Sequence, residues 1–164
     1  MKWFALYTKV KSEKKVFERL EKAGFESFLP LVTKVKQWSD RKKKVQVPLI
    51  KSYVFVKCKE NGLNPVLNIP GVVAVLKYLG KPAIVKEQEI ENLKILSNNP
   101  NSLQAVPKID ITKGKLIQVT RGPFKGLMAT IISESGKHRV IVNVEALNSF
   151  MEVTLSISHI ENYD

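Results

Sequence analysis

One cysteine and two histidines are all that this 164-residue chain offers to a soft metal or to nucleophilic catalysis. Cys58 alone cannot close an internal disulfide, and Cys58, His138 and His159 match no metal-ligand spacing. No G-x-S-x-G, H-E-x-x-H or phosphate-loop lysine motif occurs. Cys58 lies in a strand-like stretch far from either histidine, where a lone cysteine is a small buried hydrophobe and not half of a nucleophile–base pair. Glu87, Glu89 and Glu91 open a predicted helix and complement its dipole. No enzyme, cofactor or metal is expected. Long hydrophobic runs are also missing. The longest, such as "VPLI" and "IPGVVAVL", fall far short of the roughly 20 residues that span a bilayer. The opening "MKWFALYTKVKSEKK" lacks a long apolar core before a small-residue cleavage site, so no signal peptide and a cytoplasmic location are expected.

Acidic residues are scarce: 15 against 27 Lys and Arg, a net charge of +12. Position says more than size. Residues 1–96 hold 20 cations against 9 anions, +11, while residues 97–164 hold 7 against 6, +1. A basic excess on one part of a chain is the footprint of a polyanion, nucleic acid first. Plain lysine-rich solubility is the alternative.

The segment "SNNPNSLQAVPKIDITKG" (97–114) coincides with the charge break and lacks helical or strand periodicity, so 98–109 is expected to be a linker. Before it, residues 1–97 read as β-α-β-β-β-β-α. Trp3 to Tyr7 forms a strand, and Ser12 caps a helix with Val16, Phe17, Leu20 and Ala23 on one stripe and Gly24 past its end. "SFLPLVTKVKQW" and "KKKVQVPLI" make a hairpin with the cations Arg41, Lys42, Lys43 and Lys44 near its tip. A strand around Tyr53 to Val56, a loop "KENGLNP", a strand "VVAVLKYLG" and a helix "KEQEIENLKILSNN" with Ile90, Leu93 and Leu96 inward complete it. This is an α+β domain with a largely antiparallel sheet flanked by helices. After the linker, residues 110–164 offer "KLIQVT", "LMATIIS", "RVIVNVEAL" and "MEVTLS", broken by "RGPFKG", "ESGKH" and "NS". Such short, β-branched strands predict a small all-β barrel, stable as strands. Gly122 and Gly126 suit a tight turn and not a phosphate cradle. Phe124 in that turn is either a cap on the barrel core or an exposed anchor.

On a pleated strand, Ser52, Val54 and Val56 share one face while Lys51, Tyr53, Phe55 and Lys57 share the other. The first is an ordinary core face. The second sets two aromatics between lysines, the composition of an interface hot spot, or of plain core under a neighbouring helix.

"VTRGPFKGLMATI" (119–131) resembles the KOW motif, the first hairpin of a small barrel. "WFALYTKVKSEKKVFERLEKAGFESFLPL", "VPLIKSYVFVK" and "IPGVVAVLKYLGKPAIVKEQEI" resemble, in order, the elements of the NusG N-terminal domain. Lys51 stands where that family usually has proline, and Ala129 replaces a frequent glycine. The compact length and the "QWSDRKKKVQVPL" hairpin resemble specialised NusG paralogues of the RfaH and polysaccharide-operon antiterminator kind.

The resemblance implies a non-catalytic transcription elongation or antitermination factor, monomeric and with no membrane partner. Tyr7, Ile50, Tyr53, Phe55 and Ile84 would seat the clamp helices of the RNA polymerase β′ subunit. Asn64, Pro65 and Val66 would meet the gate loop of the β subunit. Lys9, Lys11, Lys14, Lys15 and Arg19, with Arg41 to Lys44, would face upstream or non-template DNA. The near-neutral KOW barrel would recruit a protein, a small-subunit ribosomal protein or Rho, through Phe124, Ile141 and Met151. An RNA-binding KOW protein of ribosome assembly is the alternative, and it predicts charge on the barrel.

Overall fold

The computed structural model describes residues 1–98, 103–106, 115–122, 124–133, 138–144, 149–155 and 160–162, with side chains for 1–98, 116–122 and 124–130. The fold is α+β, with antiparallel sheets and few helices. Strand β1 (Lys2–Thr8) is central to the first sheet and pairs antiparallel from Lys2 to Tyr7 with β5 (Tyr53–Cys58). Its other edge is shared by β6 (Val72–Val75) and β9 (Ile84–Val85). β2 (Glu26–Phe28) adds to the outer edge of β5, giving the order β2-β5-β1-β6.

One face of this sheet carries the expected core. Phe4, Leu6, Val54, Val56, Cys58 and Val75 pack with Val16 and Leu20 of helix α1 (Glu13–Lys22) and with Leu63 and Val66 of helix α2 (Leu63–Leu67). Phe17 packs at the edge of this cluster, while Ala23 is exposed. Ser12 occupies the N-cap position of α1 without a side-chain capping bond. It serves instead through its carbonyl, which accepts from the Val16 N–H at 2.9 Å.

Two single strands expected from the pattern divide. Leu29-Pro30 separates β2, in the main sheet, from β3 (Leu31–Gln37), because proline supplies no ladder N–H. β3 pairs only with β4 (Lys42–Pro48) among the described residues, as a separate two-stranded ribbon. The "VVAVLKYLG" stretch breaks into β6 and β7 (Lys77–Tyr78), and β7 pairs with β8 (Lys81–Pro82) across a two-residue loop. Leu79 (φ 52) and Gly80 (φ 78) both lie in the left-handed region, the geometry of a type I′ turn. The expected loop after β5 is a 3-10 turn, Glu60–Gly62, followed directly by α2.

The chain divides into two compact units, Met1–Lys86 and Glu87–Asp164. Helix α3 (Glu87–Ser97), expected to close the first domain, groups with the second unit. The reason is local: the buried Asn92 side chain accepts from Met128 N–H at 3.1 Å and donates to Met128 C=O at 2.9 Å. Ile90, Leu93 and Leu96 are fully buried, as their spacing predicts. Within the stretch expected to be a linker, β10 (Leu103–Val106) is a strand, because its backbone pairs antiparallel with β14 (Ser149–Leu155). With β11 (Lys115–Val119), β12 (Met128–Ser133), β13 (His138–Val144) and β15 (Ile160–Asn162) these form a sheet in the order β10-β14-β13-β12-β11-β15.

Candidate functional site

The second face of the first sheet is built in three cross-strand rows. In the first row Lys57 lies opposite Trp3, with its ammonium 5.7 Å from the ring centroid. Glu26 and Val85 extend that row. The middle row is Phe28, Phe55 and Ala5, with the two phenylalanine ring centroids 6.1 Å apart. The third row is Tyr53, Tyr7 and Ala74, and it is the accessible one. Tyr7 is 42% exposed, and the Tyr7 and Tyr53 rings meet edge to face at 5.7 Å. Both residues flank an irregularity. The register shifts between Tyr7 and Thr8, and Ser52 enters β5 in the left-handed region (φ 66), its carbonyl accepting from Thr8 N–H at 2.8 Å. Bulges of this kind re-aim side chains at sheet ends.

The proposed clamp-contact residues therefore separate. Tyr7 and Tyr53 come together at an open surface. Phe55 shares their face but is fully buried, so it supports the tyrosine row and offers no surface of its own. Ile84 is 48% exposed, yet its register opposite Phe4 puts it on the α1 side of the sheet, away from the tyrosines. Ile50 is half-buried in the bend before Ser52. Of the gate-loop group, Asn64 and Pro65 are exposed on α2, whereas Val66 is fully buried in the core and cannot be a contact.

The basic residues also divide. Lys9, Lys11 and Lys15 are exposed. Two others on this surface hold structure: Lys14 donates to Gln46 C=O at 2.7 Å, and Arg19 donates to Pro70 C=O at 2.7 Å. Arg41, Lys42, Lys43 and Lys44 are exposed on the β3–β4 ribbon, together with Lys34, Lys36 and Trp38, which the sequence reading did not single out. Period-two alternation along "KVKQW" was the signal available for them.

In the second unit, Phe124 is buried, which decides for the core cap and against an exposed anchor. Its turn is closed by Gly126 N–H on Val119 C=O at 2.8 Å, with Gly122 (φ 82) and Gly126 (φ 93) in the left-handed region. Ile141 and Met151 lie on β13 and β14, and their side chains are outside the described residues. Among the described residues no group of His, Cys, Asp and Glu could hold a metal ion, and no helix is long and apolar enough to cross a membrane. Burial pushes the Cys58 thiol pKa up, the opposite of what a nucleophile needs.

Residues 1–94 match the protein family described as "Transcription termination factor nusG". The "Transcription termination/antitermination protein NusG" of Rickettsia bellii is 26% identical over 177 residues, covering 99% of this chain and 90% of that protein. The protein of the same description from Helicobacter pylori strain J99 is 27% identical, covering 98% of each. A solved structure described as "Domain interaction in Thermotoga maritima NusG" is similar in fold, with a TM-score of 0.51 and 21% identity over 99% of this chain and 97% of that one.

Proposed function

Because the chain belongs to the NusG family, we propose that it is a transcription elongation and antitermination factor, of the specialised paralogue kind, that binds RNA polymerase through its first unit. The observation that carries this reading is the Tyr7–Tyr53 row. It is an edge-to-face aromatic pair left accessible at one end of a sheet face on which Trp3 and Phe55 are buried and Phe28 is half-buried. Accessible aromatic rings, with large contact area and few rotatable bonds, are what an interface anchor requires. The occupant proposed is the clamp-helix pair of the polymerase β′ subunit, with Asn64 and Pro65 reaching the gate loop of the β subunit.

A factor that touches both sides of the polymerase's DNA channel favours whichever state brings those sides to the matching separation. It acts by differential binding, and its effect on pausing is limited to the difference in its affinity for the paused and the processive states. No group has to react. The exposed cations of α1 and of the β3–β4 ribbon would add salt-dependent attraction to upstream or non-template DNA. Residues 110–164, within the second unit, are proposed to be the KOW-type barrel that recruits a small-subunit ribosomal protein or Rho.

The test is retention by immobilised RNA polymerase. Tyr53→Ala is expected to weaken binding by about 30-fold, the effect of losing roughly 2 kcal/mol at a hot spot. Unchanged retention of a folded Tyr53→Ala protein would overturn the docking surface.

A further inference from the structure

The β7–β8 hairpin has features that the tyrosine row does not account for. Leu76 N–H donates to Ala5 C=O and Ala83 N–H donates to Leu76 C=O, both at 2.8 Å. The hairpin therefore leaves the sheet at the switch from β6 to β9, with its base tied to β1. Beyond that base, residues 77–81 are exposed without a break. Tyr78 is 72% exposed, and Leu79, at 86%, is the most exposed large hydrophobic residue among those described. Leu79 also takes φ 52, so an aliphatic side chain stands where both water and the backbone disfavour it. Asn-Gly or Asp-Gly is the favoured pair in such a turn. A strained residue at an exposed tip, with no packing that requires it there, points to a use for its side chain.

The charges around the tip are of one sign. From residue 61 to residue 86 stand Lys77, Lys81 and Lys86 and no carboxylate. Lys77 and Lys81 flank the tip, both exposed, and neither forms an ion pair among the described residues. Ala74 pairs with Tyr7, and Lys81 lies opposite Tyr78. Two-residue alternation from Ala74 through Leu76 then assigns Tyr78 and Lys81 to the side of the sheet that carries Tyr7. An apolar tip framed by cations complements an apolar pocket with an acidic rim.

We infer that this hairpin is a second anchor on RNA polymerase, with Leu79 and Tyr78 entering an apolar pocket of that protein and Lys77 and Lys81 facing carboxylates on its rim. The inference rests on the reading above, in which the tyrosine row docks on the polymerase, because the hairpin continues the same face from the last residue of that row, Ala74. A protein pocket is favoured over nucleic acid because Leu79, the residue for which the backbone is strained, has no ring to stack and no group to donate to a phosphate or base edge. It is favoured over a lipid surface because one leucine and one tyrosine bury little area there, whereas a fitted pocket covers both.

Retention of the full chain on immobilised RNA polymerase is measured for the wild type and its variants, with a thermal melt of each. Leu79→Asn gives the turn a residue that it favours, so the protein should melt at or above the wild-type temperature while retention weakens about tenfold, the effect of withdrawing one buried leucine. Leu79→Met keeps an apolar side chain and should stay within about twofold of wild type. Lys77→Gln with Lys81→Gln should lose affinity mainly at low salt. Equal retention of Leu79→Asn and wild type, or equal loss in Leu79→Asn and Leu79→Met, overturns the inference. Capture of wild type but not Leu79→Asn by phosphatidylglycerol vesicles, with polymerase retention the same for both, overturns it in favour of a lipid anchor. Tyr53→Ala separates the two readings. Loss in Tyr53→Ala with none in Leu79→Asn overturns the hairpin alone. Loss in Leu79→Asn with none in Tyr53→Ala supports the hairpin and overturns the docking row. A wild type that is not retained overturns both.

Discussion

Phe55 is fully buried beside Phe28, so Phe55→Ala leaves a cavity and also removes a ring–ring contact. Phenylalanine-to-alanine changes in a core cost about 3–5 kcal/mol. For a unit the size of Met1–Lys86, each kcal/mol lowers Tm by about 4–8 °C, which gives a fall of about 12 °C or more. Tyr53→Ala acts on the accessible row. Its main structural loss is the edge-to-face pair with Tyr7, worth about 1 kcal/mol, so its Tm should fall by about 4–8 °C. Polymerase retention should show the reverse order. Tyr53→Ala loses affinity while folded, and Phe55→Ala loses it in proportion to the fraction unfolded. The assay is a thermal melt by circular dichroism on each variant, with retention measured well below each Tm. If Phe55→Ala melts within about 4 °C of wild type while its retention collapses, Phe55 is an interface residue and the division of the aromatic face is wrong.

Four further outcomes are expected. A Cβ at Gly71 (φ +98) would lie 2.7 Å from Val16 Cγ2, so Gly71→Ala should cost about 2–4 kcal/mol by denaturant melt; a neutral effect would mean that the α1–β6 corner relaxes freely. Leu79 occupies the first central position of a type I′ turn, where Asn-Gly is preferred, so Leu79→Asn should stabilise by about 0.5–1 kcal/mol, and a loss would argue against the turn. Asn92→Ala removes both bonds to the Met128 backbone and should cost about 2–3 kcal/mol, with faster amide exchange at Met128 as its signature. Burial raises the Cys58 pKa, so its contribution to stability is fully present below the unfolded-state value and lost as pH rises through the folded-state value. Wild type should therefore lose stability on the alkaline side more steeply than Cys58→Ala, and a native thiol alkylated at the rate of free cysteine would contradict the burial.

Local periodicity made the elements legible, and non-local pairing decided the site. Two-residue alternation predicted that Tyr53 and Phe55 share a face, and they do; it could not show that the middle row is covered and the third row open. The side of Ile84 is not legible in the sequence, because it is set by pairing opposite Phe4, some 80 residues away, and a two-residue strand carries no alternation of its own. Val66 read as loop because "ENGLNP" is rich in turn formers, yet the 3-10 turn and α2 that form there turn Leu63 and Val66 into the core. β10 was hidden for the same reason: "LQAV" has no periodicity to display, and its strand exists through its partner β14. The cationic hairpin was legible as charge, but the contact of Lys43 with the Trp38 ring at its head shows only in the fold.

The position of the tyrosine pair follows from where the sheet stops being regular. Along β1 and β5 the pairs from Lys2↔Cys58 to Tyr7↔Tyr53 are in continuous register, and the ladder ends there. Beyond it β1 bulges at Tyr7/Thr8, and β5 begins from the left-handed Ser52. A non-glycine residue in that region costs on the order of 1 kcal/mol, and the Thr8 N–H to Ser52 C=O bond offsets it. The two irregularities are joined by that bond, so neither strand end can straighten without breaking it. The tyrosines are thus oriented by the backbone on both sides and by each other, with little help from packing above them. A backbone held in that way is already ordered before any partner arrives, so binding at this end of the sheet does not have to order the main chain that carries the rings.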